Sequence, residues 1–126
     1  MSTSTPVPSW LEPLCQIARV WKTRDASVRD LFTGAAPDLS DGASFTTFVY
    51  ARLRSSHELL DAWQGYSWDK RTAPSPYING TEVGFFDGTR KEDMRIHENA
   101  AEACADFIYR EAVWVIEGRR ATPSVP

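Results

Sequence analysis

Only two cysteines and two histidines occur among the 126 residues. Cys15 and Cys104 lie far apart, and no His or Cys has a second ligand at metal-binding spacing, so no zinc site is expected. Both thiols are expected to be free and packed as small hydrophobes in apolar helical stretches. No apolar run approaches the ~18 residues that a membrane-crossing helix needs. Met1 to Pro8 has neither a basic region nor an apolar centre, so it does not read as a secretory signal, and a cytoplasmic protein is expected. Basic runs are missing too. Arg90-Lys91 is followed at once by Glu92-Asp93, and the net charge is −3. Nucleic acid is therefore not expected as a partner, because it selects a one-sided basic surface.

Catalytic motifs are absent as well. Nothing matches G-x-G-x-x-G, the P-loop or G-x-S-x-G. His57-Glu58 would need a second His at position 61 to hold zinc, and that residue is Asp61. Asp87-Gly88-Thr89 lacks the nucleophilic Asp that phosphatases of the haloacid-dehalogenase type carry two residues earlier, since position 85 is Phe85. Asn79-Gly80-Thr81 matches a glycosylation sequon but reads as a hairpin turn. Glu92 and Asp93 should point to opposite faces of a strand. Glu102, Asp106 and Arg110 sit at four-residue spacing and read as a solvated helix face. No desolvated carboxyl of the kind an acid/base pair needs is visible. No catalytic residue, metal or cofactor is assigned, and the balance leans away from an enzyme.

What is present is the material of one globular domain. Hydrophobic residues make up 42% of the chain, with five Trp, enough for a core at this length. Residues 1–8 read as a disordered lead, 9–118 as a single α+β domain and 119–126 as a flexible tail. Ser9 with Glu12, Ser55 with Glu58 and Asn99 with Glu102 have capping-box spacing ahead of apolar-periodic stretches. Helices are predicted over about Trp10 to Thr23 and Ala26 to Thr33, the second stopped by Gly34. A third starts near Phe45 with Ser44 or Asp41 as cap, and a further piece covers His57 to Gln64 and ends at Gly65. Tyr66 to Pro76 reads as a long irregular connection.

Asn79-Gly80 and Asp87-Gly88 are two-residue hairpin signals. They divide a meander of strands: Pro76–Ile78, Thr81–Phe86 and Thr89–His97, the last carrying Met94 and Ile96. The final helix should run from Ala100 to Glu117 with Gly118 as its cap. The fold class is α+β: N-terminal helices, a small two- or three-stranded antiparallel meander, and a long C-terminal helix packed on it.

The candidate binding residues are Tyr66, Trp68, Lys70, Arg71 and Tyr77. Aromatics interleaved with Lys and Arg in a long loop are typical of interface anchors. The pattern of a short, acidic, single-domain α+β chain without catalytic motifs resembles that of bacterial immunity proteins of polymorphic toxin systems. The resemblance is one of type, and no residue is carried over from it. It implies a protein that neutralises a toxin or enzyme by stoichiometric association, with a protein partner that the acidic balance would suit to be basic. Two alternatives are open. One is a small-molecule-binding or catalytic domain, with a pocket between sheet and C-terminal helix using Tyr109, His97, Glu82 or Arg95. The other is a homo-oligomeric accessory subunit using its surplus Trp.

Overall fold

The computed structural model describes residues 6–23, 25–70 and 72–121. The first predicted helix is two short pieces, Leu11–Cys15 (α1) and Ile17–Val20 (α2), parted at Gln16. Its capping box does not form. Trp10 holds the cap position without a side-chain bond. Glu12 instead accepts two bonds from Arg52, of 2.6 and 2.9 Å, and one from Gln16 at 2.7 Å. A bidentate guanidinium is a stronger partner for a carboxylate than a lone backbone N–H.

Helix α3 (Val28–Ala35) starts where the Ser27 hydroxyl accepts the Asp30 N–H at 3.1 Å. Gly34 lies inside it, and the stop comes at Ala36, in the left-handed region at φ 54° just ahead of Pro37. Helix α4 (Gly42–Leu53) is capped by Asp41, whose side chain accepts the Ala43 and Ser44 N–H groups. Helix α5 (His57–Lys70) is capped one residue later than the spacing suggested: the Ser56 hydroxyl, not that of Ser55, accepts the Leu59 N–H at 3.3 Å.

Gly65 does not end α5, and the expected long loop is corrected to a helix reaching Lys70. Glycine in a helix interior costs about 1 kcal/mol relative to alanine. Continuing the helix buries the Tyr66 ring, and full burial of a side chain that size contributes about 2 kcal/mol or more. Packing therefore outweighs the local penalty.

The sheet is an antiparallel meander of β1 (Ser75–Asn79), β2 (Glu82–Phe86) and β3 (Lys91–Ile96), in the order β1-β2-β3. Asn79 pairs with Glu82, which leaves Gly80 and Thr81 as the turn, with Gly80 at φ 65°. The second turn is longer than predicted. Phe86 pairs with Lys91, and Asp87 organises the loop between them by accepting the Thr89 and Arg90 N–H groups at 2.8 and 2.7 Å. Between the pairs Val83–Arg95 and Phe85–Glu92, β3 has an extra residue, and Asp93 takes φ 52° there. This bulge undoes the expected alternation. Glu92 and Asp93 both reach the Arg120 guanidinium instead of opposite faces. Met94 and Ile96 stay exposed on the edge strand.

The other edge is covered. The β1 backbone meets α5, where Gln64 both accepts from and donates to Gly80, each at 3.0 Å, and the Ser67 hydroxyl accepts the Ile78 N–H at 3.0 Å. Paired edge groups of this kind remove a template for aggregation.

Helix α6 (Ala100–Ala112) begins at Asn99, whose side chain accepts the Glu102 N–H at 2.9 Å. It continues as a π-helical stretch, Val113–Glu117, and ends at Gly118 in the left-handed region. It packs on β1 and β2 and, on its other side, on α4. The core between these layers is an aromatic cluster of Phe32, Trp63, Tyr66 and Phe107 in edge-on and tilted contacts. The Trp63 indole donates to the Cys15 carbonyl at 3.1 Å. Cys15 and Cys104 are free and buried. Burial pushes the Cys15 thiol up to about 12, so it stays protonated and unreactive at neutral pH. Among the described residues, no helix is long and apolar enough to cross a membrane.

Candidate functional site

Continuation of α5 through Lys70 redistributes the five candidate residues. In a helix, positions four apart share a face and positions two apart lie on nearly opposite sides. Tyr66 and Lys70 therefore turn inward together, and Trp68 turns out. Arg71 lies outside the described residues. Tyr77 belongs to the sheet.

The inward pair closes on the buried Glu111 of α6. Tyr66 donates its hydroxyl to one carboxylate oxygen at 2.6 Å, and Lys70 Nζ donates to the other at 2.6 Å. The ammonium also stands over the Phe107 and Tyr66 rings, 5.2 and 5.7 Å from their centroids. Burial pushes the Lys70 ammonium below its ordinary range, against the opposing pull of Glu111. Burial, with the neighbouring carboxylate, pushes the Tyr66 phenol up. Glu111 is the desolvated carboxyl that the sequence did not reveal. Its spacing marks only a position on a long helix, and its partner arrives from a different helix. The arrangement is satisfied by its own partners, and Lys70 with Tyr77 and Lys91 also lines a small cavity of about 190 Å³.

Tyr77 lies flat over Gly84. A Cβ at Gly84 would stand 2.8 Å from the Tyr77 ring and hydroxyl, so the aromatic takes the room that the missing side chain leaves. The Tyr77 hydroxyl donates to Glu82, and Lys91 Nζ sits 3.3 Å from the same carboxylate and 5.3 Å over the ring. Burial and the Glu82 contact push the phenol up, while the Tyr77 and Lys91 bonds hold Glu82 low. This too is an internally satisfied group.

Trp68 remains. It is 78% exposed, more than Val7, Met94 or Ile96, the other exposed large hydrophobics among the described residues. It stands on the outward ridge of α5 with Asp61, Gly65 and Asp69, all exposed. The opposite face of α5 is anchored by Leu59, Trp63 and Tyr66 in the core, so the ridge is held on a fixed scaffold. A Cβ at Gly65 would meet no atom within 4 Å. Gly65 therefore leaves a notch between the carboxylates of Asp61 and Asp69, one turn to either side, with Trp68 beside it. Asp69 accepts from Lys22 at 2.7 Å. Asp61 and Gly65 were missed because Gly65 read as a helix stop. Extending the helical phase past it would have placed 61, 65 and 68 on one side.

A second polar arrangement lies between α4, α6 and the end of β3, as a cleft of about 460 Å³. His97 and Arg95, two of the four residues named for a pocket between sheet and C-terminal helix, line it together with Thr46, Thr47, Tyr50 and Glu102. Tyr109 and Glu82 do not. Tyr109 packs on Phe45, over Gly42, and donates to the Leu39 carbonyl at 3.2 Å. Asp106 was expected on a solvated face. It is half-buried, accepts from His97 Nε2 at 2.8 Å and from Arg110 Nε at 2.9 Å, and so fixes the imidazole against α6.

Comparison of the chain with protein-family models, with curated proteins and with solved structures finds no match.

Proposed function

We propose that the chain is a non-enzymatic protein-binding module that occludes a partner by stoichiometric association, in the manner of an immunity protein or inhibitor. The observation that carries this reading is the 78% exposure of Trp68 on a helix whose other face is locked in the core. Exposing an indole in water forgoes about 2 kcal/mol of burial, and Trp is the residue most enriched among interface anchors. The Asp61 carboxylate lies beside it, Asp69 being paired with Lys22, and the net charge is −3, which favours a partner with a basic, partly apolar surface. Charge complementarity of this kind steers association and weakens with salt.

The test is quantitative affinity capture from native host cells with the wild-type chain and with Trp68→Ala. The expected result is one protein recovered in stoichiometric amount by the wild type and lost with the variant. The melting temperature should barely move, since surface substitutions stay within about 0.5 kcal/mol. A drop in stability as large as that of Trp63→Ala, about 3–5 kcal/mol for a buried aromatic, would make Trp68 a structural pin and defeat the reading. Light scattering separates a self-interface from a foreign partner: a dimer that Trp68→Ala converts to monomer would assign the ridge to a homo-oligomer.

A further inference from the structure

We propose that the cleft between α4, α6 and the end of β3 binds a small zwitterion of the amino-acid class, with a carboxylate at Arg95 and an ammonium at Glu102. Its volume of about 460 Å³ falls among the ~300–1,000 Å³ of small-molecule sites. One part of its wall is already fixed by internal bonds. Asp106 gives one oxygen to His97 Nε2 and the other to Arg110, and Arg110 in turn donates to the Asp93 carbonyl at the β3 bulge at 2.8 Å. An ionised carboxylate only accepts, so His97 carries its hydrogen on Nε2.

Two charges of the cleft lining are left over. The neighbouring Lys91, Arg110 and Arg120 each pair with a carboxylate. Arg95, exposed on β3, and Glu102 line the cleft; neither side chain has a hydrogen-bond or ion-pair partner among the described residues, while the Glu102 N–H goes to Asn99. The remaining polar groups sort the ligand's ends. The Thr46 and Thr47 hydroxyl hydrogens go to the Gly42 and Ala43 carbonyls of their own helix, at 2.9 and 2.8 Å. Their oxygens, with the Glu102 carboxylate, form an acceptor-rich wall suited to an ammonium. Arg95 is the fork-shaped donor suited to a carboxylate. Ala43 and Ala105 leave room between the ends for an aliphatic body.

The experiment titrates the full chain with straight-chain amino acids of increasing charge separation, glycine, β-alanine, 4-aminobutyrate and 6-aminohexanoate. Hexanoate and hexylamine serve as single-charge controls. The readout is the imidazole NMR signal of His97, with His57 as internal reference. The expected result is a saturable shift of His97 alone with at least one zwitterion and binding at least about tenfold weaker for either control, as loss of one charged contact implies. Arg95→Gln and Glu102→Gln should each cost about tenfold or more with unchanged melting temperature. No shift of His97 across the series at millimolar concentration would overturn the proposal. So would hexanoate binding as well as the zwitterions, which would make the cleft a plain anion site, or an unchanged affinity in Glu102→Gln.

Discussion

Lys70 Nζ lies 2.6 Å from Glu111 Oε1, with the two side chains 7% and 3% exposed. Removing one partner of such a pair strands an uncompensated charge in a poorly solvated place, which costs about 3–5 kcal/mol. Lys70→Met is expected to lower stability by that amount in urea denaturation. Combining it with Glu111→Leu should recover part of the loss, since no charge is then left buried although the Tyr66 hydroxyl loses its acceptor. A loss under about 1 kcal/mol for Lys70→Met, typical of an exposed pair, would refute the buried pairing.

Glu12 gives a prediction in acid. Its hydrogen bonds from Arg52 and then Gln16 hold the carboxyl at about 2, against an ordinary 4.5. The unfolded chain therefore binds this proton more readily than the folded one, so stability rises with pH in this range. The contribution is present above about 4.5 and is lost as pH falls towards about 2. The carboxylate is half exposed, so its size is about 1 kcal/mol or less. Urea midpoints of Glu12→Gln should vary less than wild type between those two pH values, and parallel curves would contradict the assignment.

The contact of Tyr77 with Gly84 is steric. A Cβ at Gly84 would also come 3.0 Å from the Glu92 backbone oxygen. Gly84→Ala is expected to destabilise by about 1–3 kcal/mol, the usual range for overpacking. Tyr77→Ala in the same chain should return part of it, because the ring is one of the two obstacles. A double-mutant cycle reads that coupling, and strict additivity would mean that the ring moves aside freely.

Gly65 separates the needs of folding from those of binding. Nothing occupies the space that a Cβ would take, so Gly65→Ala should raise stability by about 0.5–1 kcal/mol through helix propensity. If the notch beside Trp68 receives a partner, the same substitution should weaken capture of that partner. A more stable variant with unchanged capture would place the interface elsewhere.

Local capping and turn chemistry were read well where the interaction stays within a few residues. Asn99 caps α6 and Gly118 ends its extension, because both signals act on the backbone beside them. The three strands and their order follow from the same short-range chemistry, although Asp87 builds a wider turn than its dipeptide implied. The cap at Ser56 and the β3 bulge are local departures, but the larger misreadings come from contacts across the chain. Ser9 lost its capping partner when Arg52, forty residues away from Glu12, took the carboxylate. Gly65 failed to stop its helix because Tyr66 and Lys70 find Glu111 across the core. Asp106 left the solvated face for His97 and Arg110.

By itself, then, the amino-acid order determined the class of fold, the ends of the last helix and the meander, since periodicity, caps and turns depend on neighbours along the chain. Tertiary packing alone decided which side chains face water. Only the length of α5 turned Tyr66 and Lys70 inward and Trp68 outward, and only the meeting of α4, α6 and β3 brought Arg95, His97 and Glu102 around one cleft. Those outcomes depend on contacts between residues distant in sequence, whose combined burial energy exceeds the local preference of any single residue.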